Sequence, residues 1–214
     1  MKILIHQMHR YLIILLSIFF SLSVQGQITQ PENDLENCVS KSTESSYYES
    51  VGFYQMMQEM EDRMIKDGLI KNRKKEEYLK LFEKLSKTND SLKFKEYFNR
   101  NFEYMEQKFS FNLFTVNSAV FNQCPYKISS SIENKNEELV YQTGKRLYQI
   151  MESGFLDLKL IKNLVKFYSE QDFSKKVYRA PITYLALINI NYQYSPYEIE
   201  FRKYKESKIL QNKN

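Results

Sequence analysis

The chain runs to 214 residues, with 31 lysines and arginines against 26 acids, two histidines, two cysteines and no tryptophan. A net charge of +5 spread over this length is too weak a bias to mark a polyanion-binding surface, and nucleic acid is excluded as a partner on that ground together with the export signal below. The abundance of Lys, Asn, Ile, Tyr and Phe is what AT-rich coding alone produces, so the aromatic content is read first as core rather than as a stacking surface.

Residues 1 to 26 have the layout of an export signal. Lys2 and Arg10 give a basic start, Tyr11 to Val24 is a predominantly apolar run of fourteen, and Val24-Gln25-Gly26 supplies small residues ahead of a cut before Gln27. The alternative is an uncleaved anchor, which needs about 20 apolar residues to span a bilayer, and the run falls short of that. Cleavage therefore predicts a periplasmic or extracellular protein that contacts a membrane only if the segment is retained. It also removes His6 and His9, leaving a chain with no histidine. The usual general base, the commonest metal ligand and the central member of most hydrolytic triads are then all missing.

Cys38 and Cys124 are the only cysteines. In an oxidising compartment an even pair closes, so a disulfide is expected, and no C-x-x-C spacing suggests redox chemistry.

Gln27 to Ser45 is polar and carries Pro31, and reads as an extended leader pinned at Cys38; residues 46 to 214 follow as a single helical domain. Ser46-Tyr47-Tyr48-Glu49 matches a capping box and predicts a helix through Phe53, Met57, Met60 and Met64, which repeat along one face. Asp67-Gly68 should close it, because glycine accepts the left-handed residue that ends a helix. Lys71 to Lys75 is a basic turn, and Tyr78, Phe82 and Leu85 mark a short second helix. Asn89-Asp90-Ser91 punctuates the chain.

From Phe94 the apolar residues Phe98, Phe102, Met105, Phe109, Leu113, Val116 and Val120 recur at steps of three and four. One continuous helix over 92 to 123, about 45 Å long at 1.5 Å per residue, is predicted as the central axis of the molecule, with a break near Ser110 as the alternative. Cys124-Pro125 is expected to stop it and Tyr126 to Lys135 to form a polar loop. Glu137 to Ser153 resumes a helix with Gly154 as its stop, and Leu158 to Tyr168 gives a shorter one. Met64 to Leu85 and Met151 to Tyr168 share a loose plan of helix, glycine, short helix. Ile188 to Tyr194 alternates like a strand, but no partner strand is evident, so a helix from Pro181 to about Ile190 with an extended exit is predicted. Ser195-Pro196-Tyr197-Glu198 opens a last, charged surface helix. The expected architecture is all-α, an irregular bundle of six to seven helices.

Four methionines fall within nine residues: Met56, Met57, Met60 and Met64. Thioethers are soft ligands suited to Cu(I), and these spacings bring them to one face, as in methionine-rich copper-handling segments outside the cytoplasm. Methionine is also a gap-filling core residue, and Phe53 extends the same stripe, so core packing is the stronger reading. No S-x-x-K, G-x-S-x-G or phosphate-cradling glycine motif is present. Carboxylate pairs such as Glu59 with Asp62, Glu137 with Glu138 and Glu198 with Glu200 leave a carboxylate-dependent hydrolase as a further alternative. Lys71, Arg73, Lys74 and Lys75 could meet anionic polymers but read as a solvated turn. Neither a catalytic set nor a cofactor site emerges. The expectation is a non-enzymatic interaction or structural module of the cell envelope that holds another envelope protein or peptide. Its alternative is a periplasmic Cu(I)-binding protein.

Overall fold

A computed structural model describes residues 28–44, 52–87, 91–109, 113–132 and 138–211. All regular structure among them is helical: α1 Gln30–Thr43, α2 Phe53–Lys66, α3 Lys75–Leu85, α4 Ser91–Phe109, α5 Leu113–Ser118, a π-helical turn Ala119–Gln123, α6 Cys124–Ser130, α7 Leu139–Glu152, α8 Leu158–Phe167, α9 Glu170–Ser174, α10 Lys176–Tyr194 and α11 Pro196–Gln211. The all-α class holds, with more helices than the six or seven expected. The export signal, the Ser46 capping box and the Asn89-Asp90 punctuation lie outside the described residues.

The bundle is built around α10, not around the helix predicted over 92 to 123. Twelve residues of α10, from Val177 to Ile190, are buried, and α2, α3, α4, α9 and α11 all pack on it. A helix apolar on every side belongs in the centre, whereas the strict one-face stripe of α4 belongs at the periphery, with its opposite face in water. Phe94, Tyr97, Phe98 and Met105 accordingly point inward while Leu92 is exposed. Residues 110–112 lie outside the described set, so α4 and α5 are described as separate elements.

The polar stretch after Gln27 is not an extended leader. It folds as α1, and its own residues explain why. Thr29 and Glu32 stand three apart, the Thr29 N–H donates to Glu32 Oε2 at 2.8 Å, and Pro31 occupies the first turn, where its missing N–H is harmless. The buried residues Glu32, Leu35, Val39 and Thr43 keep helical spacing, but polar side chains at both ends hide the period from hydropathy.

Pro125 likewise does not stop the chain. The preceding turn widens, with the Cys124 N–H donating to the Ala119 carbonyl five residues back, and Pro125 then sits in the first turn of α6, so the expected loop from Tyr126 is helical to Ser130. Cys124 stays in the right-handed helical region at φ −70°, ψ −46°. The Cys38–Cys124 disulfide is formed, with Cα atoms 5.7 Å apart, and fastens α1 to the start of α6.

Ile188 to Tyr194 continues α10 rather than exiting extended. Asn189, which disguises the segment as a strand, is buried and donates to the Leu185 carbonyl at 2.8 Å and the Phe155 carbonyl at 3.1 Å. Gly68 (φ +69°) and Gly154 (φ +80°) end α2 and α7 as expected. The two short helices that follow, α3 and α8, pack on each other.

Candidate functional site

A cleft of about 480 Å³ opens between α4, α10 and α11. Its long wall is a single face of α10, where Tyr184, Leu187, Ile188, Asn191 and Tyr192, with Ser195 just past the helix end, follow one another at steps of three and one. That is helical spacing, and it aligns them in one stripe. Phe102 and Met105 of α4 face them, the 154–156 turn supplies Phe155 and Leu156, and Tyr197 closes the α11 side. Polar groups are few: Asn117, Asn191, Ser195, Glu106 and Glu198. Volume and an apolar lining with sparse polar groups both match a ligand site.

The turn at the lip is strained. Phe155 has φ +65°, a region that a bulky L residue rarely adopts. Its N–H donates to the Ile150 carbonyl at 3.0 Å, its carbonyl accepts from Asn189, and its ring meets Phe121 edge-on at 5.0 Å. Gly154, also at positive φ, makes the reversal possible. Strain of this kind costs about 1–3 kcal/mol and persists where surrounding contacts over-determine it, often at functional sites. Beneath the lip, the Asn117 side-chain oxygen is buried with no hydrogen-bond partner.

A second concavity of about 400 Å³ lies between α6 and α7, flanked by Tyr126, Tyr141, Tyr148 and Lys145. Gly144 sets its depth: a Cβ there would stand 2.6 Å from Pro125 Cβ.

Two buried carboxylates that sequence reasoning missed organise the interior on the other side of α10. Glu32 accepts from Lys175 Nζ at 2.9 and 3.1 Å and from the Tyr178 hydroxyl at 2.7 Å. Burial would raise its carboxyl, but the hydrogen bonds from Lys175, Thr29 and Tyr178 outweigh burial and hold it below the usual carboxylate range. Glu61 accepts from Arg179 Nε at 2.8 Å, Arg73 Nε at 3.2 Å, Thr183 Oγ1 at 3.2 Å and the Tyr78 hydroxyl. Both glutamates are 2% exposed, and both are paired with cations, which makes them structural anchors of α1 and α2 on α10. Burial together with the Glu61 charge pushes the Tyr78 phenol well above its ordinary value.

Met56, Met57, Met60 and Met64 share the inner face of α2, none more than 1% exposed, and Met56 Sδ accepts from the Tyr104 hydroxyl at 3.9 Å. Among the described residues, no three His, Cys, Asp or Glu side chains are placed to hold a metal. Of the carboxylate pairs, Glu59 pairs with Arg63 and Asp62 with Arg73, so each serves a different cation. Glu198 lines the cleft while Glu200 is exposed outside it, and Glu137 lies outside the described residues. The basic turn is partly consumed: Arg73 serves Glu61 and Asp62, and Lys75 Nζ donates to the Tyr168 carbonyl at 2.6 Å, tying α3 to the end of α8.

Comparison with family models, with curated proteins and with solved structures returns no match for this chain.

Proposed function

We propose that the protein is an exported, non-enzymatic binding module of the cell envelope that receives an apolar element of a partner protein or peptide in the cleft between α4, α10 and α11. The observation that carries this reading is the cleft itself, an apolar trough on the central helix with a strained aromatic lip and a sparse polar rim. Such composition favours burial of an apolar group over chemistry on a polar one. The N-terminal signal layout and the Cys38–Cys124 bridge support export. Among the described residues no helix is long and apolar enough to cross a membrane.

The binding half of the proposal is tested with the neutral fluorescent probe N-phenyl-1-naphthylamine. The oxidised protein should bind it at one site, and Ile188→Trp, which fills the trough, should abolish binding while the helical circular dichroism is preserved. Probe binding unaffected by Ile188→Trp would remove the cleft from the function. Export is tested by the intact mass of protein recovered from its own cells, which should lack residues 1–26 and be two hydrogens light; retention of Met1 would refute cleavage.

A further inference from the structure

We infer that the occupant of this cleft is a basic amphipathic peptide segment, whose apolar side chains enter the trough while a neighbouring lysine or arginine sits against Glu106 and Glu198. The inference rests on the binding reading above and adds the sign of the charge and the class of partner. Two acidic side chains line the cleft, and no lysine or arginine does. Neither glutamate forms an ion pair among the described residues, in contrast to Glu32, Glu61, Asp62 and Asp67, each of which holds a cation.

Arg202 sits at the edge of the cleft without pairing with either carboxylate: its guanidinium lies 4.6 Å from the centre of the Tyr192 ring and donates to the carbonyls of Glu198 and Gln193 at 3.2 and 3.4 Å. Two lining carboxylates against this one guanidinium leave the mouth net negative on a chain whose overall charge is positive. Tyr197 adds a π face beside the carboxylates, and aromatic faces attract ammonium and guanidinium groups. The trough is open rather than closed, and α11 carries its apolar surface outward through Tyr197, 72% exposed, and Phe201, whose rings stack at 6.3 Å. An occupant that fills the trough and also covers these rings extends beyond a single small molecule, which favours a peptide laid along α11.

The test uses the oxidised protein and three end-blocked, fluorescently labelled 14-residue peptides. Each has leucines at helical spacing and, at its polar positions, lysine, glutamine or glutamate; binding is read by anisotropy at low and at physiological salt. A partly exposed ion pair contributes a few-fold, so two carboxylates should favour the lysine peptide over the glutamine peptide by about tenfold. The glutamate peptide should be weakest, and the lysine preference should shrink with salt. Glu106→Gln with Glu198→Gln should erase the difference between lysine and glutamine peptides and leave the affinity for the glutamine peptide in place.

A glutamate peptide that binds tightest, as the overall positive charge alone would produce, overturns the charge assignment; so does a lysine preference that survives in the double variant. Both outcomes leave the binding function standing if Ile188→Trp still blocks the naphthylamine probe. Binding of octyltrimethylammonium at the cleft with no binding of any peptide assigns the site to a small cationic amphiphile and overturns the peptide class. Loss of the probe result itself removes the function on which the inference rests.

Discussion

Reduction of the Cys38–Cys124 bridge is expected to remove a large part of the protein's stability without changing what unfolds. The bridge joins positions 86 residues apart, and the chain-entropy relation for a loop of that size gives about 4.6 kcal/mol at 25 °C. Against a typical total of about 5–15 kcal/mol for a domain, the reduced form is left marginal. Helix α1 has native contacts besides the sulfur link: Leu35 and Val39 are packed in the core and Glu32 is paired with Lys175. The effect should therefore reside in the unfolded chain. Urea unfolding with and without a phosphine reductant, followed by far-ultraviolet circular dichroism and tyrosine fluorescence, measures it. At a slope of about 2 kcal/mol per M the midpoint should fall by about 2 M, with the slope held or raised as the unlinked denatured chain expands. A midpoint that moves by less than about 0.5 M would refute the entropy argument. A fall in slope would instead show that α1 leaves before the rest, refuting the view that it belongs to one cooperative unit.

Gly144→Ala gains about 0.8–1 kcal/mol of helix propensity but drives a Cβ against the rigid Pro125 ring, an overpacking cost of about 1–3 kcal/mol, so the variant should melt below the parent; a higher melting temperature would show that α6 and α7 separate freely. Met57→Ala should cost about 2–5 kcal/mol and Met57→Leu less than about 1.5 kcal/mol in urea titrations, as core positions do. A melting temperature of the parent that rises with Cu(I), and no longer does so in Met57→Leu, would restore the thioether site. Glu32→Gln should cost about 1.5–3 kcal/mol near neutral pH, because the half-buried Lys175 loses the charge on its hydrogen-bond partner. Since the folded carboxyl lies below its ordinary 4.5, its contribution is complete above that value and is lost as pH falls through the folded pKa. The stability gap between parent and Glu32→Gln should therefore close in acid and stay constant from pH 6 to 7. A gap that widens below pH 4 would contradict the sign of the shift.

The parts of the fold that follow from local chemistry were legible. Gly68 and Gly154 closed helices where a left-handed residue was needed, and the stripe of Tyr78, Phe82 and Leu85 turned inward as its spacing requires. The errors share one cause, which is that tertiary packing supplied what the segment itself lacked. Helix α1 has too little apolar surface to announce itself, and its Thr29-x-x-Glu32 box gains meaning only once Leu35 and Val39 find the core. The bonds of Asn189 to Leu185 and Phe155 reverse its meaning from strand punctuation to buried clamp, and only three-dimensional neighbours could show that. The cleft was not legible as a site, because α10 presents its lining as ordinary helical hydrophobics, and the opposing α4 wall comes from residues 78 or more positions away. Glu61 was invisible for the reverse reason: on α2 it sits between Met60 and Asp62 and looks like one more surface acid, while its partners Tyr78 and Arg179 come from two other helices.

The π-helical turn at Ala119–Gln123 also governs how this chain can vary. One residue more than an α-helical turn requires is spent there, and each residue of an α-helix advances the direction of the next side chain by about 100°. Deleting one residue from the turn would give a more regular helix while swinging everything downstream through that angle. Cys124 would then aim away from Cys38, and Pro125 would leave the hollow at Gly144. The surplus residue thus acts as a phase setting for the second half of the molecule. Chains descended from this one are expected to exchange side chains in the turn far more readily than to change its length.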